Sequence, residues 1–149
     1  MRFKEAIEHI LPGTYREGLQ APAGLDRERI ACKNPRKLAG SLYLDEALAE
    51  TQPNDPRWDY GIALRGKQTD DVVWVEVHPA SSSNVKEVIA KLRWLKQWLR
   101  DSGKDLAQMT RKDGYHWVAS GAVAIPKNSK QARQLAAAGL AYPRQRLSL

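Results

Sequence analysis

The sequence predicts an α/β (α+β) fold, a sheet with helices packed on it. Three observations predict it. Two runs of alternating residues flank a polar turn within 57–78, an apolar stripe at helical spacing follows over 85–99, and further strand-like and helix-like segments lie on both sides. The 149 residues suit a single domain, 1–149, that buries one continuous core without disulfide or metal staples.

Taken in order, Phe3 to Leu11 reads as a short helix with Phe3, Ile7, Ile10 and Leu11 on one side, stopped by Pro12-Gly13. Residues 13–26 are rich in Gly, Pro and Ala and read as irregular. Arg29–Lys33 and Ser41–Leu44 are short strand candidates, and Asp45–Glu50 has helical composition over a very short span. Pro53-Asn54-Asp55-Pro56 is a break. Tyr60, Ile62 and Leu64 then alternate with Asp59, Gly61, Ala63 and Arg65. Beyond a turn at Gly66–Asp71, Val73, Val75 and Val77 alternate with Val72, Trp74, Glu76 and His78, which together make a hairpin signal. Asn84, with Glu87 three residues on, opens a helix running to about Asp101 on the stripe Val85, Val88, Ile89, Leu92, Leu95 and Leu99; Gly103 is its terminator. Tyr115–Ile125 reads as a strand and Gln131–Ala138 as an Ala-rich helix ending at Gly139.

Charge and composition narrow the function classes. The formal net charge is +7, from 24 Lys+Arg against 17 Asp+Glu, which favours polyanionic partners, nucleic acid among them. The single cysteine, Cys32, closes no intrachain disulfide and excludes multi-cysteine zinc sites. The N-terminal residues lack the apolar run of a signal peptide and no stretch has the length of an apolar membrane span, so the expectation is a cytoplasmic protein without membrane association.

A symmetric turn sets Arg65 opposite Val72, Gly61 opposite Glu76 and Asp59 opposite His78. Asp59, Glu76 and His78 then converge on one face. Tyr60, Ile62, Leu64, Val73, Val75 and Val77 line the other, which is the expected seat of the 85–101 helix. Two carboxylates on adjacent strands, roughly 5–7 Å apart, can share a Mg²⁺ or Mn²⁺ ion. A plainer reading makes Glu76 and His78 polar residues on a solvated face. Against it, Val72 and Trp74 share that face, and Glu76 sits mid-strand between valines, where Glu is disfavoured.

The run Arg57-Trp58-Asp59-Tyr60, the hairpin, Val75-Glu76-Val77-His78 and the amphipathic helix after it resemble the PD-(D/E)xK nuclease superfamily over about residues 41–125. The chain also looks like uncharacterised bacterial members with Trp-Asp-Tyr-Gly and Val-Glu-Val-His-Pro-Ala segments. The resemblance implies a restriction endonuclease-like mixed sheet flanked by helices. It also implies Mg²⁺- or Mn²⁺-dependent cleavage of DNA or RNA, with Asp59 and Glu76 holding the metal. Two positions depart from the pattern: Trp58 replaces the proline before the acid, and His78 replaces the lysine. His78 would serve as base or ligand at a different pKa. Alternatively the cation moves to the following helix, where Lys91 and Lys96 are the candidates and a lysine snorkelling over a packed stem is the competing explanation. The superfamily's first acid, on the opening helix, corresponds to Glu5 or Glu8. A catalytically degenerate member that binds nucleic acid or a protein is the alternative.

Other features carry less. Trp94 and Trp98, four apart, would stack on one flank of the long helix, and Ser81–Ser83 read as turn and cap. His116 has no acidic neighbour in sequence, and His9 lies near a helix end.

Overall fold

The computed structural model describes residues 1–149 and is a mixed α/β fold. In chain order come α1 (Phe3–Ile10), β1 (Tyr15–Arg16), α2 (Gly24–Glu28), β2 (Ile30–Ala31), β3 (Leu38–Tyr43), α3 (Leu44–Ala47), β4 (Tyr60–Arg65), β5 (Asp70–Ser81), α4 (Val85–Asp101), α5 (Lys104–Met109), β6 (Thr110–Ala124), α6 (Lys130–Ala137) and β7 (Leu147–Ser148). One sheet has the order β1-β3-β4-β5-β6, antiparallel except for the parallel β5–β6 pair, and β2 and β7 form a separate parallel pair. The parallel neighbours are joined across the sheet by α4 and α5, the crossover a parallel pair requires.

Both faces of the sheet are buried. Trp74, Val72, Ala63, Leu42, Trp117 and Ala119 pack with the apolar stripes of α1 and α4 in the main core. Tyr60, Ile62, Val73, Val75 and Val118 pack on the other side with Ile30 of β2 and Leu147 of β7. The expectation that α4 seats on the Tyr60–Val77 face is therefore corrected: it lies on the face of Trp74 and Glu76. Size complementarity accounts for the choice. Gly61 stands opposite Trp74, and a Cβ there would lie 2.7 Å from the indole, so the ring lies flat across the glycine and leaves a level seat for a helix.

The hairpin register also differs from the symmetric one. Arg65 pairs with Asp70, Gly61 with Trp74 and Tyr60 with Val75, a slip of two residues that preserves face membership and brings Asp59 level with Glu76 rather than His78. The cause lies outside the hairpin. Asp70 is 3% exposed; its carboxylate accepts from Phe3 N (2.9 Å) and Arg2 Nη1 (3.0 Å), which draws Asp70 out of the turn into β5 and closes the N-terminus of α1.

Further differences are in extent. β5 runs through Pro79 to Ser81, because β4 ends its pairing at Val75 and a bulge opposite β6 lies between His78 and Ala80, both tolerant of a residue without an N–H. β3 begins at Leu38 and β6 at Thr110, each earlier than the alternation suggests, and α5 is an element the sequence reading lacks. No helix is long and apolar enough to cross a membrane.

Candidate functional site

Three elements meet where β4 begins. Asp59 is the residue before β4, Glu76 lies in β5, and Lys91 comes down from α4. Asp59 N–H donates to Glu76 Oε1 (3.1 Å), and Val77 N–H donates to Asp59 Oδ2 (2.9 Å). The two carboxylates thus take the place of backbone carbonyls, extending the β4–β5 ladder by one rung made of side chains. Lys91 Nζ pairs with Glu76 Oε2. Glu76 is wholly buried, while the Lys91 side chain keeps 18% of its exposure.

Simple spacing places the lysine. α4 returns along β5 in the opposite sense; four residues of helix rise about 6 Å and two residues of strand about 6.6 Å. Glu87 therefore stands over His78 and Lys91 over Glu76, and the structure has both pairs, His78 Nε2 lying 3.3 Å from Glu87 Oε2.

Burial sets the electrostatics. It pushes the Glu76 carboxyl up to about 8, with the Asp59 charge adding to the rise and Lys91 opposing it. Burial likewise pushes Asp59 up to about 6, opposed by Lys91 and the Val77 N–H and assisted by Asp45 and Asp26. For Lys91, burial works against the charged form, but Glu76, Asp59 and Asp45 together outweigh it and the net displacement is upward. One ammonium faces two carboxyls, so the cluster titrates as a unit and at neutral pH calls for a proton or a further cation.

The remaining predicted residues go elsewhere. His78 shares the face, but its ring contacts Glu87 and the carbonyl of Pro79 (Nδ1, 2.9 Å) and stands edge-on to Trp117; it makes no hydrogen bond to Asp59 or Glu76. Lys96 lies over the Tyr115 ring at 5.0 Å, so of the two lysines it is Lys91 that meets the carboxylates. Glu5 accepts from Arg2 N (3.2 Å) and Glu8 from Gly13 N (3.4 Å); neither bonds to the cluster.

The nearby acid that the sequence reading missed is Asp45, in the first turn of α3. Its charge bears on both Asp59 and Lys91. It is fixed from two sides: Leu44 N and Asp45 N donate to Asp59 O (2.8 and 3.3 Å), and Arg57 Nε reaches Asp45 Oδ1 at 2.9 Å. Arg57, two residues before Asp59, was the available signal, a cation next to the acid with no role of its own.

The donor set is two carboxylates, and no cluster of three or more His, Cys, Asp or Glu side chains is arranged to hold a metal. Two hard oxygen ligands with a negative charge in excess of Lys91 still fit a divalent cation that keeps most of its water, as Mg²⁺ does. Asp59 Oδ1 accepts no hydrogen bond from the protein, whereas both oxygens of Glu76 are engaged. No family model matches this chain, and no curated protein or solved structure matches it either.

Proposed function

We propose that the chain is a metal-dependent nuclease that hydrolyses phosphodiester bonds in DNA or RNA, with Mg²⁺ or Mn²⁺ held by Asp59 and Glu76. The observation that carries this reading is Lys91 meeting Glu76 beside Asp59: two acids and a lysine, from three elements, at one place on a mixed sheet. That is the composition the PD-(D/E)xK resemblance calls for, with the lysine supplied by α4 in place of His78. The sheet supports it too, three antiparallel strands followed by a fourth laid parallel after a helical crossover.

A bound divalent ion would supply Lewis acidity and an acidified water. The residues do the rest. Asp59 and Glu76 are held in fixed orientation by backbone N–H groups. Lys91 swings from Glu76 toward the phosphate to meet the charge developing there. Asp45 keeps Arg57 beside the site, and the net charge of +7 favours a polyanion.

One observation favours a second reading. Glu76 is fully buried with both oxygens engaged, which suits a nuclease fold that has lost catalysis and binds nucleic acid or a protein. Cleavage of plasmid and of single-stranded RNA with Mg²⁺ or Mn²⁺, beside calorimetric metal titration, separates the readings. The expected result is metal-dependent cleavage, abolished by Asp59→Asn and by Glu76→Gln and lowered about 10²-fold by Lys91→Ala. Metal binding without cleavage gives the second reading; neither binding nor cleavage leaves a structural ion pair.

A further inference from the structure

On the opposite face of the sheet, beside Val73 of β5 and His116 of β6, lies a cavity of ≈ 460 Å³. Arg111, Lys112, His116 and Arg144 line it, with Ser148 and the single acid Asp113. Arg111 already has a partner, since its Nη2 lies 3.6 Å from Asp71 Oδ2, a half-exposed pair. Lys112 and Arg144 have no carboxylate within ion-pair distance. The imidazole of His116 is part of the wall, and its Nδ1 is buried with no hydrogen-bond partner. That atom is shielded from the cavity, so it is the charge of the lining, three cations against one acidic side chain, that points to an anionic ligand. The backbone holds the arrangement: Arg144 N donates to Trp117 O and Ala119 N to Arg144 O, so the Arg144 segment is laid along β6 beside His116.

We propose that this cavity binds a phosphate monoester, gripped by Arg144, Lys112 and Arg111 beside the His116 imidazole. Guanidinium groups match the phosphate oxygens, and a ligand of nearly two negative charges is drawn more strongly than a carboxylate. Burial, then Arg144 and Arg111, depress the His116 pKa, with Asp113 opposing, so an anion placed among the same cations raises it again. The site is independent of the Asp59–Glu76 cluster and does not rest on the nuclease reading. A free phosphorylated metabolite and the phosphorylated end of a nucleic-acid strand present the same group.

The test uses the full chain, isotope-labelled at histidine, of which there are three: His9, His78 and His116. Titration with inorganic phosphate should move the His116 ring signals saturably and raise their titration midpoint, leaving His9 and His78 in place. Arg144→Gln should weaken binding about tenfold. The Lys112→Gln variant, at an exposed position, gives the same reading if Arg144→Gln folds poorly. A 5′-phosphorylated oligonucleotide that binds tighter than its 5′-hydroxyl counterpart and than a nucleoside monophosphate identifies a strand end. Equal binding of the monophosphate identifies a free metabolite. No saturable response at His116, equal responses at all three histidines, or full binding by both variants would overturn the proposal.

Discussion

Two carboxylates are buried six residues apart on β5, and they are treated differently. Asp70, 3% exposed, accepts from Arg2 Nη1 and from the N–H of Phe3 at a helix start, so its charge is met by a cation it shares with no other carboxylate and by a helix dipole. Glu76, wholly buried, shares one ammonium with Asp59. Burial of an acid is therefore not in itself a sign of function. What separates the two is a shortfall of compensating charge, which leaves Glu76 and Asp59 calling for a proton or a further cation while the charge of Asp70 is already met.

The largest expected effect is at the satisfied site. Asp70→Ala strands the Phe3 N–H and frees Arg2, and should cost about 3 kcal/mol in urea denaturation. An unchanged midpoint would remove the contrast. Lys91→Met should cost less, about 2 kcal/mol at neutral pH, because a proton can take over the neutralisation of Glu76. Its cost should shrink when Asp59→Asn is added, and strict additivity in that double-mutant cycle would show that the two acids do not share the lysine.

Asp59→Asn alone should stabilise the metal-free protein by about 1–2 kcal/mol at neutral pH. The folded pKa of Asp59, about 6, lies above the ordinary value of 3.8. The native state thus holds its proton more tightly than the unfolded chain does. That contribution is complete below about pH 3.8 and is lost as pH rises through about 6, so the advantage of asparagine grows across this window. Thermal melts of both proteins between pH 4 and pH 8 measure it, and Mg²⁺ should reverse the order. An advantage that stays flat with pH would place the Asp59 titration elsewhere.

The smallest effect concerns two indoles of the same core. Trp58 Nε1 is buried with no partner, whereas Trp74 Nε1 donates to Thr110 at 2.9 Å. Trp58→Phe should shift stability by less than about half of what Trp74→Phe does, since only the latter discards a hydrogen bond of about 1 kcal/mol.

Much of the fold was written in local pattern. The alternation at 59–65 and 72–78, the α4 stripe and the α6 composition depend only on neighbours in the chain. Face membership of Asp59 and Glu76 followed because a period of two survives any even slip in register. Three things depended on distant residues and were not legible there. The register was set by Arg2 and Phe3, on the far side of the sequence from Asp70. The seat of α4 was decided by Gly61 lying under Trp74, while counting hydrophobic residues pointed to the other face. Asp45 belongs to a four-residue helix with no periodicity to read. Lys91 over Lys96 was recoverable, since the i,i+4 step on α4 matches the i,i+2 step on β5.

The rung that Asp59 and Glu76 build from their side chains has a spectroscopic consequence. Each carboxylate is tied to the amide of a residue in the opposite strand, so the N–H groups of Asp59 and Val77 are reporters intrinsic to the chain. Whatever settles on these oxygens, proton or metal, draws electron density from the acceptors of those two amides. Their chemical shifts and solvent-exchange rates should move together, while amides at the Asp70 end of β5 stay still, giving a local gauge of occupancy that needs neither substrate nor an attached probe.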